Sequence, residues 1–204
     1  MFNDTFLKYY KNKKVFITGH TGFKGLWLTN TLLSLGARIK GYSLNDEKIR
    51  NFKKNCDYKK VESIFSNILD RKKLEKEIFS FKPQIIFHLA AQSLVINSLA
   101  KPKETIETNL NGTLNILEVC RKFSFIKSAV IITSDKCYLN KEIERGYRED
   151  DILGGHDPYS ASKASAEIIF NAYNINFFKR KKIGVATCRA GNVIGGGDWS
   201  DNRI

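Results

Sequence analysis

Residues 13–25 read KKVFITGHTGFKG. A short apolar run, Val15 to Ile17, passes directly into glycines at 19, 22 and 25, and FKGLWLTNTLLSLG (23–36) follows with helical apolar spacing. A strand that turns through glycine straight into a helix leaves few folds open. Glycines at that place permit a tight turn and let the backbone approach a pyrophosphate, which then lies on the helix N-terminus. Such a pattern is weak alone and gains its weight from standing on the first strand of an alternating series.

The alternation continues. ARIKGYSL (37–44), VESIFSNI (61–68), PQIIFHLAA (83–91), SAVIITSD (128–135) and KIGVATCRAGNV (182–193) read as strands. DRKKLEKEIFSF (70–81), TIETNLNGTLNILEVCRKF (105–123) and PYSASKASAEIIFNAYNINFFKR (158–180) read as helices. Gly36 stands where a helix C′ residue belongs. Residues 45–60 are polar and lysine-rich and read as loop and frayed helix. Largely apolar strands alternating with helices predict an α/β fold, a doubly wound parallel sheet of the Rossmann kind covered on both faces. Residues 1–187 make the dinucleotide-binding domain in this reading, and 188–204 open a substrate-binding region.

Composition narrows the partners. Hydrophobic residues make up 42% of the 204, as in globular rather than disordered chains. No run approaches the ~20 apolar residues of a membrane span. The opening MFNDTFLKYYKNKK lacks the apolar stretch and small-residue cleavage site of a secretory signal. A cytoplasmic protein with no membrane partner is expected. Cys56, Cys120, Cys137 and Cys188 show no CxxC spacing and no paired histidines, so they read as buried free thiols, with no metal site and no disulfide framework. Lys and Arg exceed Asp and Glu by 34 − 21 = 13, yet the lysines are scattered and the densest run, FFKRKK (177–182), is short. Solvated faces and a general attraction for anionic substrates account for this charge, and no nucleic-acid partner is expected.

A second constraint is DPYSASKASAE (157–167). In a helix, Tyr159 and Lys163 project from one face, a turn apart. A phenol with a pKa of about 10 is a poor base at neutral pH, and a nearby ammonium favours the phenolate. Alone, the pair is an ordinary helix-face feature. Beside a phosphate loop it reads as the proton acceptor for an alcohol being oxidised. The second strand ends in Ser43, which can bond a ribose hydroxyl though more weakly than the usual carboxylate, and no arginine adjoins it to receive a 2′-phosphate, which favours NAD over NADP. His88, ending an apolar strand, reads as a satisfied buried histidine.

The glycine pattern together with the later YxxxK resembles the extended short-chain dehydrogenases/reductases. HLAAQ (88–92), TNLNGTLNILE (108–118), TSDKCY (133–138), GYREDDILGGHDPYSASK (146–163) and CRAGNVIGGGDWSDNRI (188–204) narrow the resemblance to the nucleotide-sugar 4,6-dehydratases, most closely their CDP-glucose branch. It spans essentially the whole chain and implies that a C-terminal portion follows, so that the sequence is a truncated enzyme. It implies a lyase that binds NAD, removes water from a nucleotide-sugar and feeds deoxysugar synthesis for lipopolysaccharide. It also implies a homodimer through helices 105–123 and 158–180.

The resemblance implies site residues as well. Gly19, Thr21, Gly22, Phe23, Lys24, Gly25, Ser43, Asn67, Ile68, Leu89, Ala90, Ala91 and Asn109 hold the cofactor, with Tyr159 and Lys163. Gln92, Ser134, Arg189, Asn192, Asp198 and Trp199 face the substrate. Tyr159 takes the C4 hydroxyl proton, Lys163 supports it, and Ser134 bonds the same oxygen. Asp135 and Lys136 stand where the wider family carries an Asp-Glu pair for the elimination. Asp135 is the acid only if burial keeps it protonated. Lys136 is either the base or an ammonium that stabilises the developing enolate. An epimerase of the same superfamily needs Tyr159 and Lys163 but no such pair. A non-catalytic dinucleotide-binding module needs none of them.

Overall fold

KVFIT (β1, Lys14–Thr18) lies inside a six-stranded sheet in the computed structural model, which describes residues 8–45, 58–181 and 183–198. The other strands are β2 (Arg38–Ser43), β3 (Glu62–Phe65), β4 (Ile85–His88), β5 (Ser128–Ile132) and β6 (Gly184–Cys188). Their order is β3-β2-β1-β4-β5-β6, and every neighbouring pair is parallel. The chain runs outward from β1 to β3, then returns to β4 on the other side of β1. A crevice opens at such a reversal, outside the carboxyl ends of the strands.

Strand periodicity sorts the core. Val15 and Ile17 pack with Leu26 and Leu32 of helix α1 (Phe23–Ser34), while Phe16 packs on the opposite face. There it meets Leu74 and Ile78 of α2 (Arg71–Phe81), with Ile116 and Leu117 of α5 (Gly112–Lys122) in the same cluster. Asp70 starts α2 by accepting from the Lys73 N–H at 3.0 Å, and Gly36 follows α1 with φ 79°.

The expected doubly wound sheet is present, with strands shorter than the apolar runs that announced them. Two helical features differ from expectation. A short helix α3 (Val95–Ala100) occupies a stretch with no helical apolar pattern and no side-chain cap. The helix expected from 105 begins earlier, at α4 (Pro102–Ile106), where proline suits the first helical position. It passes through a π turn (Glu107–Asn111) before α5. Helix α6 (Pro158–Tyr173) likewise runs into a π turn, Asn174–Phe178. Of the expected 45–60 loop, residues 46–57 lie outside the described residues and Tyr58–Lys60 form a single 3-10 turn. Cys120 and Cys137 are buried as expected, but Cys188 is exposed because β6 is the edge strand; Cys56 lies outside the described residues. Among the described residues no helix is long and apolar enough to cross a membrane.

Candidate active site

After Thr18 the chain turns through Gly19 at φ 70°, a conformation few side chains tolerate. A Cβ on Gly25 would stand 2.1 Å from the Gly19 carbonyl oxygen, so turn and helix touch backbone to backbone. Helix α1 then starts at Gly22 with no side-chain cap and no acidic residue in its first turn. Its positive end is left for an anion. It faces a cleft of about 570 Å³ that runs along the carboxyl ends of the strands. A bare helix N-terminus beside a turn that a single Cβ would block is a fit for a dinucleotide pyrophosphate.

Gly19, Thr21, Gly22, Phe23, Lys24, Gly25, Ser43, Asn67, Ile68, Leu89, Ala90 and Ala91 all line this cleft. Ser43 Oγ donates to the Leu44 carbonyl at 3.1 Å and shares a 2.8 Å hydrogen bond with Thr21 Oγ1. Asn67 Oδ1 accepts from the Leu69 N–H at 2.9 Å, which fixes its amide. Asn109 and Lys163 are buried and form no part of the wall. Asn109 sits in the π turn, a local form that recurs at functional sites. Its Oδ1 accepts from the Gln92 N–H at 2.8 Å. Its Nδ2 donates to the Gln92 carbonyl at 3.0 Å and to Ser162 Oγ at 2.9 Å. It thus joins the loop after β4 to α6, one residue from Lys163.

Asp157 caps α6 by accepting from the Ser160 N–H at 3.0 Å, and Pro158 occupies its first turn. Tyr159 reaches the cleft from there. The Lys163 ammonium donates to the Ile132 carbonyl at 3.1 Å. Burial lowers its pKa to about 8; the Lys24 charge pushes the same way, and Glu167 opposes them. Ser134 caps the 3-10 turn Asp135–Cys137: its Oγ accepts from the Lys136 N–H at 3.2 Å and donates to Asp135 Oδ1 at 3.0 Å. Ser134, Asp135 and Lys136 line the cleft with Tyr159. Asp135 and Lys136 are exposed, so the burial on which the acid role was conditioned is not met here.

Asn192 and Asp198 also line the cleft, whereas Trp199 lies outside the described residues. Gln92 is turned away from it. Its Nε2 donates to Thr105 Oγ1 at 2.9 Å and to the Leu94 carbonyl at 3.0 Å, and its Oε1 accepts from the Leu94 N–H at 2.6 Å. Arg189 does not line the cleft either. It pairs with Glu167 at 3.0 Å and donates to the Glu149 carbonyl at 3.0 Å. His88 is the buried, satisfied histidine expected: Thr18 Oγ1 lies 2.7 Å from Nδ1 and Thr113 Oγ1 3.3 Å from Nε2. Burial lowers its pKa to about 3, so the ring is neutral. Sequence reasoning passed over Glu167, although continuing the Tyr159–Lys163 spacing by one more turn reaches it. It also passed over Glu104, which lies before the expected helix start, and Glu107 and Thr108, which lie inside the expected helix, all three in the cleft wall.

A sheet that reverses its strand order beside a glycine turn, with a tyrosine sent to the same crevice one turn before a buried lysine, marks a Rossmann domain of the short-chain dehydrogenase/reductase kind. Comparison with known families agrees. The chain belongs to the GDP-mannose 4,6 dehydratase family, whose model matches residues 16–187. It is 45% identical over 202 residues to a CDP-glucose 4,6-dehydratase of Salmonella typhimurium, a match covering 96% of this chain and 56% of the relative. Among solved structures, an epimerase of Methanothermobacter thermautotrophicus superimposes with a TM-score of 0.78 at 25% identity, over 90% of this chain and 52% of that one. A dTDP-glucose 4,6-dehydratase of Bacillus anthracis in complex with NAD gives 0.71 at 26% identity, over 87% and 54%. The chain therefore spans about half the length of the relatives it matches.

Proposed function

We propose that this chain carries the dinucleotide half of an NAD-dependent nucleotide-sugar 4,6-dehydratase that converts CDP-glucose to CDP-4-dehydro-6-deoxyglucose. The observation that carries the reading is the Ser134–Asp135–Lys136 turn, which lines one cleft with Tyr159 and the glycine turn. The 45% identity to the Salmonella typhimurium CDP-glucose 4,6-dehydratase supports the choice of nucleotide.

NAD, which the glycine turn, Ser43, Asn67 and Lys163 would hold, would supply the acceptor for a hydride from sugar C4 and the donor of a hydride to C6. Tyr159 takes the C4 hydroxyl proton, and the Lys163 ammonium favours its phenolate. Ser134 donates to the same oxygen. The C4 ketone acidifies the C5 proton. Asp135 protonates the departing C6 hydroxyl, and a bound sugar that excludes water from the cleft supplies the desolvation this acid needs. Lys136 as a neutral amine removes the C5 proton; as an ammonium it instead holds its charge against the enolate, and the Asp135 carboxylate, having given its proton to the leaving hydroxyl, takes up the C5 proton. C5 is then reprotonated, so the reaction loses one water with no net redox change. An epimerase would use Tyr159 and Lys163 without this turn, and so the turn favours the dehydratase.

The reading carries further parts of the family resemblance: a cytoplasmic enzyme of lipopolysaccharide deoxysugar synthesis, dimeric through the helices of 105–123 and 158–180. Exposed Ile106 and Ile168 on those helices support the dimer. The test is the full-length protein with NAD and CDP-glucose in deuterated water, read by mass spectrometry. Loss of one water with deuterium at C5 is expected. An unchanged mass with inverted C4 means an epimerase, and turnover of another nucleotide-sugar alone overturns the substrate.

A further inference from the structure

Tyr159, Lys163 and Glu167 recur every four residues on α6 and form one stripe. The third has no part in the reaction proposed above, yet it is a carboxylate only 4% exposed. A charge is kept in such a place only when it is paired and hydrogen-bonded. Glu167 Oε1 accepts from Thr133 Oγ1 at 2.5 Å. Oε2 accepts from Thr187 Oγ1 at 3.0 Å and from Arg189 at 3.0 Å.

These partners bracket the acid–base turn. Thr133 is the residue immediately before Ser134. The Arg189 guanidinium stacks over the ring of Tyr138, 4.9 Å from its centroid, and Tyr138 is the residue immediately after the Asp135–Cys137 turn. Next to Arg189, the Ala190 carbonyl accepts from the Asp135 N–H at 3.1 Å. Tyr138 in turn stacks on Tyr147, and Arg189 donates to the Glu149 carbonyl, so the same arginine anchors the following loop. None of Thr133, Glu167, Thr187 and Arg189 lines the cleft.

We propose that Glu167 is the positioning residue of the Ser134–Cys137 turn, holding it from helix α6 at both ends, directly through Thr133 and through Arg189 at Tyr138. The inference rests on the dehydratase reading for its kinetic consequence. Tyr159 is carried by α6 itself and needs no help from this grip. Asp135 and Lys136 are carried by the turn and depend on it. Loosening the grip therefore harms elimination more than C4 oxidation.

Glu167→Gln in the full-length protein is the test, since glutamine keeps the shape and can still accept from Thr133 but cannot pair with Arg189. Hydrogen exchange of the folded protein is expected to quicken in segments covering 133–139 and 145–153 and to stay unchanged in β1, α1 and β4. With NAD and CDP-glucose, C4 oxidation is expected to fall only as far as loss of the Glu167 charge lowers the Lys163 pKa further, while water loss slows about a hundredfold, the scale of an ångström-sized misplacement. Reduced nicotinamide then accumulates. Exchange that quickens throughout, with both steps falling together, makes Glu167 a general stabiliser and overturns the proposal; so does no change in either. If Glu167→Gln does not fold, Thr133→Val removes one grip alone, and a smaller split of the same sign is required. Failure of the wild type to turn over CDP-glucose overturns the dehydratase reading, while the exchange pattern still decides whether Glu167 holds the turn.

Discussion

The Lys163 ammonium donates to the carbonyl of Ile132 across 3.1 Å, which ties it to the last residue of β5. The bond fixes the amine but does not offset its burial, and the pKa falls from 10.5 to about 8. A cation whose folded pKa is depressed binds fewer protons folded than unfolded, so stability rises with pH through the window from about 8 to about 10.5. Lys24 is the second cause after burial. Lys24→Gln is expected to move the Lys163 midpoint upward, though not fully to its ordinary value, because burial remains. Titration of the Lys163 side chain by NMR checks this, and a midpoint unchanged from the wild type would mean that burial acts alone.

His88 gives the opposite end of the pH range. Its folded pKa is about 3 because the ring is buried, with the Lys163 charge acting in the same direction. The unfolded chain takes up a proton near pH 6.5. Stability present above that value is therefore lost as pH falls toward 3, by about 2 kcal/mol at about pH 5. Asparagine can still meet Thr18 from the place of Nδ1, is too short to reach Thr113, and cannot titrate. The difference in urea midpoint between pH values of about 7 and 5 should shrink in His88→Asn. An equal loss in both proteins would assign the acid sensitivity to carboxylates instead.

The part of the site legible in sequence is the part with local causes. Glycines at 19, 22 and 25 between an apolar strand and an amphipathic helix have one easy structural meaning, and the cleft forms there. Tyr159 and Lys163 were readable because one helix sets their spacing. Arg189 and Gln92 were not readable, because their side chains are claimed by residues distant in sequence: Glu167 and Glu149 for Arg189, Thr105 for Gln92. The resemblance points to functional positions, but long-range hydrogen bonds decide which way each side chain turns. Helix α3 was hidden for another reason. It is six residues long, too short to show a period or to stand alone, and it exists by packing on α4 and α6.

Gly25 tests how close the phosphate turn and α1 must lie. An added Cβ meets the Gly19 carbonyl at 2.1 Å and the Cα of His20 at 2.9 Å, both backbone atoms that no side-chain rotation can move aside. Gly25→Ala should cost about 1–3 kcal/mol or more, the range for overpacking without room to relax. Chemical denaturation measures it. A variant as stable as the wild type would show that the turn has slack and that the glycine serves the ligand alone.

Lys136 separates two chemistries. If its ammonium is required against the enolate, Lys136→Glu keeps C4 oxidation and loses water elimination, by the ~10²–10³-fold typical of removing one electrostatic stabiliser. If a general base is all that the position supplies, glutamate restores elimination. Following ketone formation and water loss as separate products, in the full-length protein with CDP-glucose, tells the two apart.

Gln92 is the sharpest contest between family position and observed geometry. Its resemblance-based place is the substrate, yet both ends of its amide are used inside the protein, on Leu94 and on Thr105. Those bonds set the entry to α3, whose first turn has no side-chain cap of its own. Gln92→Ala leaves the Leu94 N–H and carbonyl without these partners and should cost about 1–3 kcal/mol of stability. The KM for nucleotide-sugar should hardly move. Thermal unfolding and steady-state kinetics on the same variant decide between the roles. A raised KM at unchanged stability would return Gln92 to the substrate, and would mean that its amide turns outward when the ligand arrives.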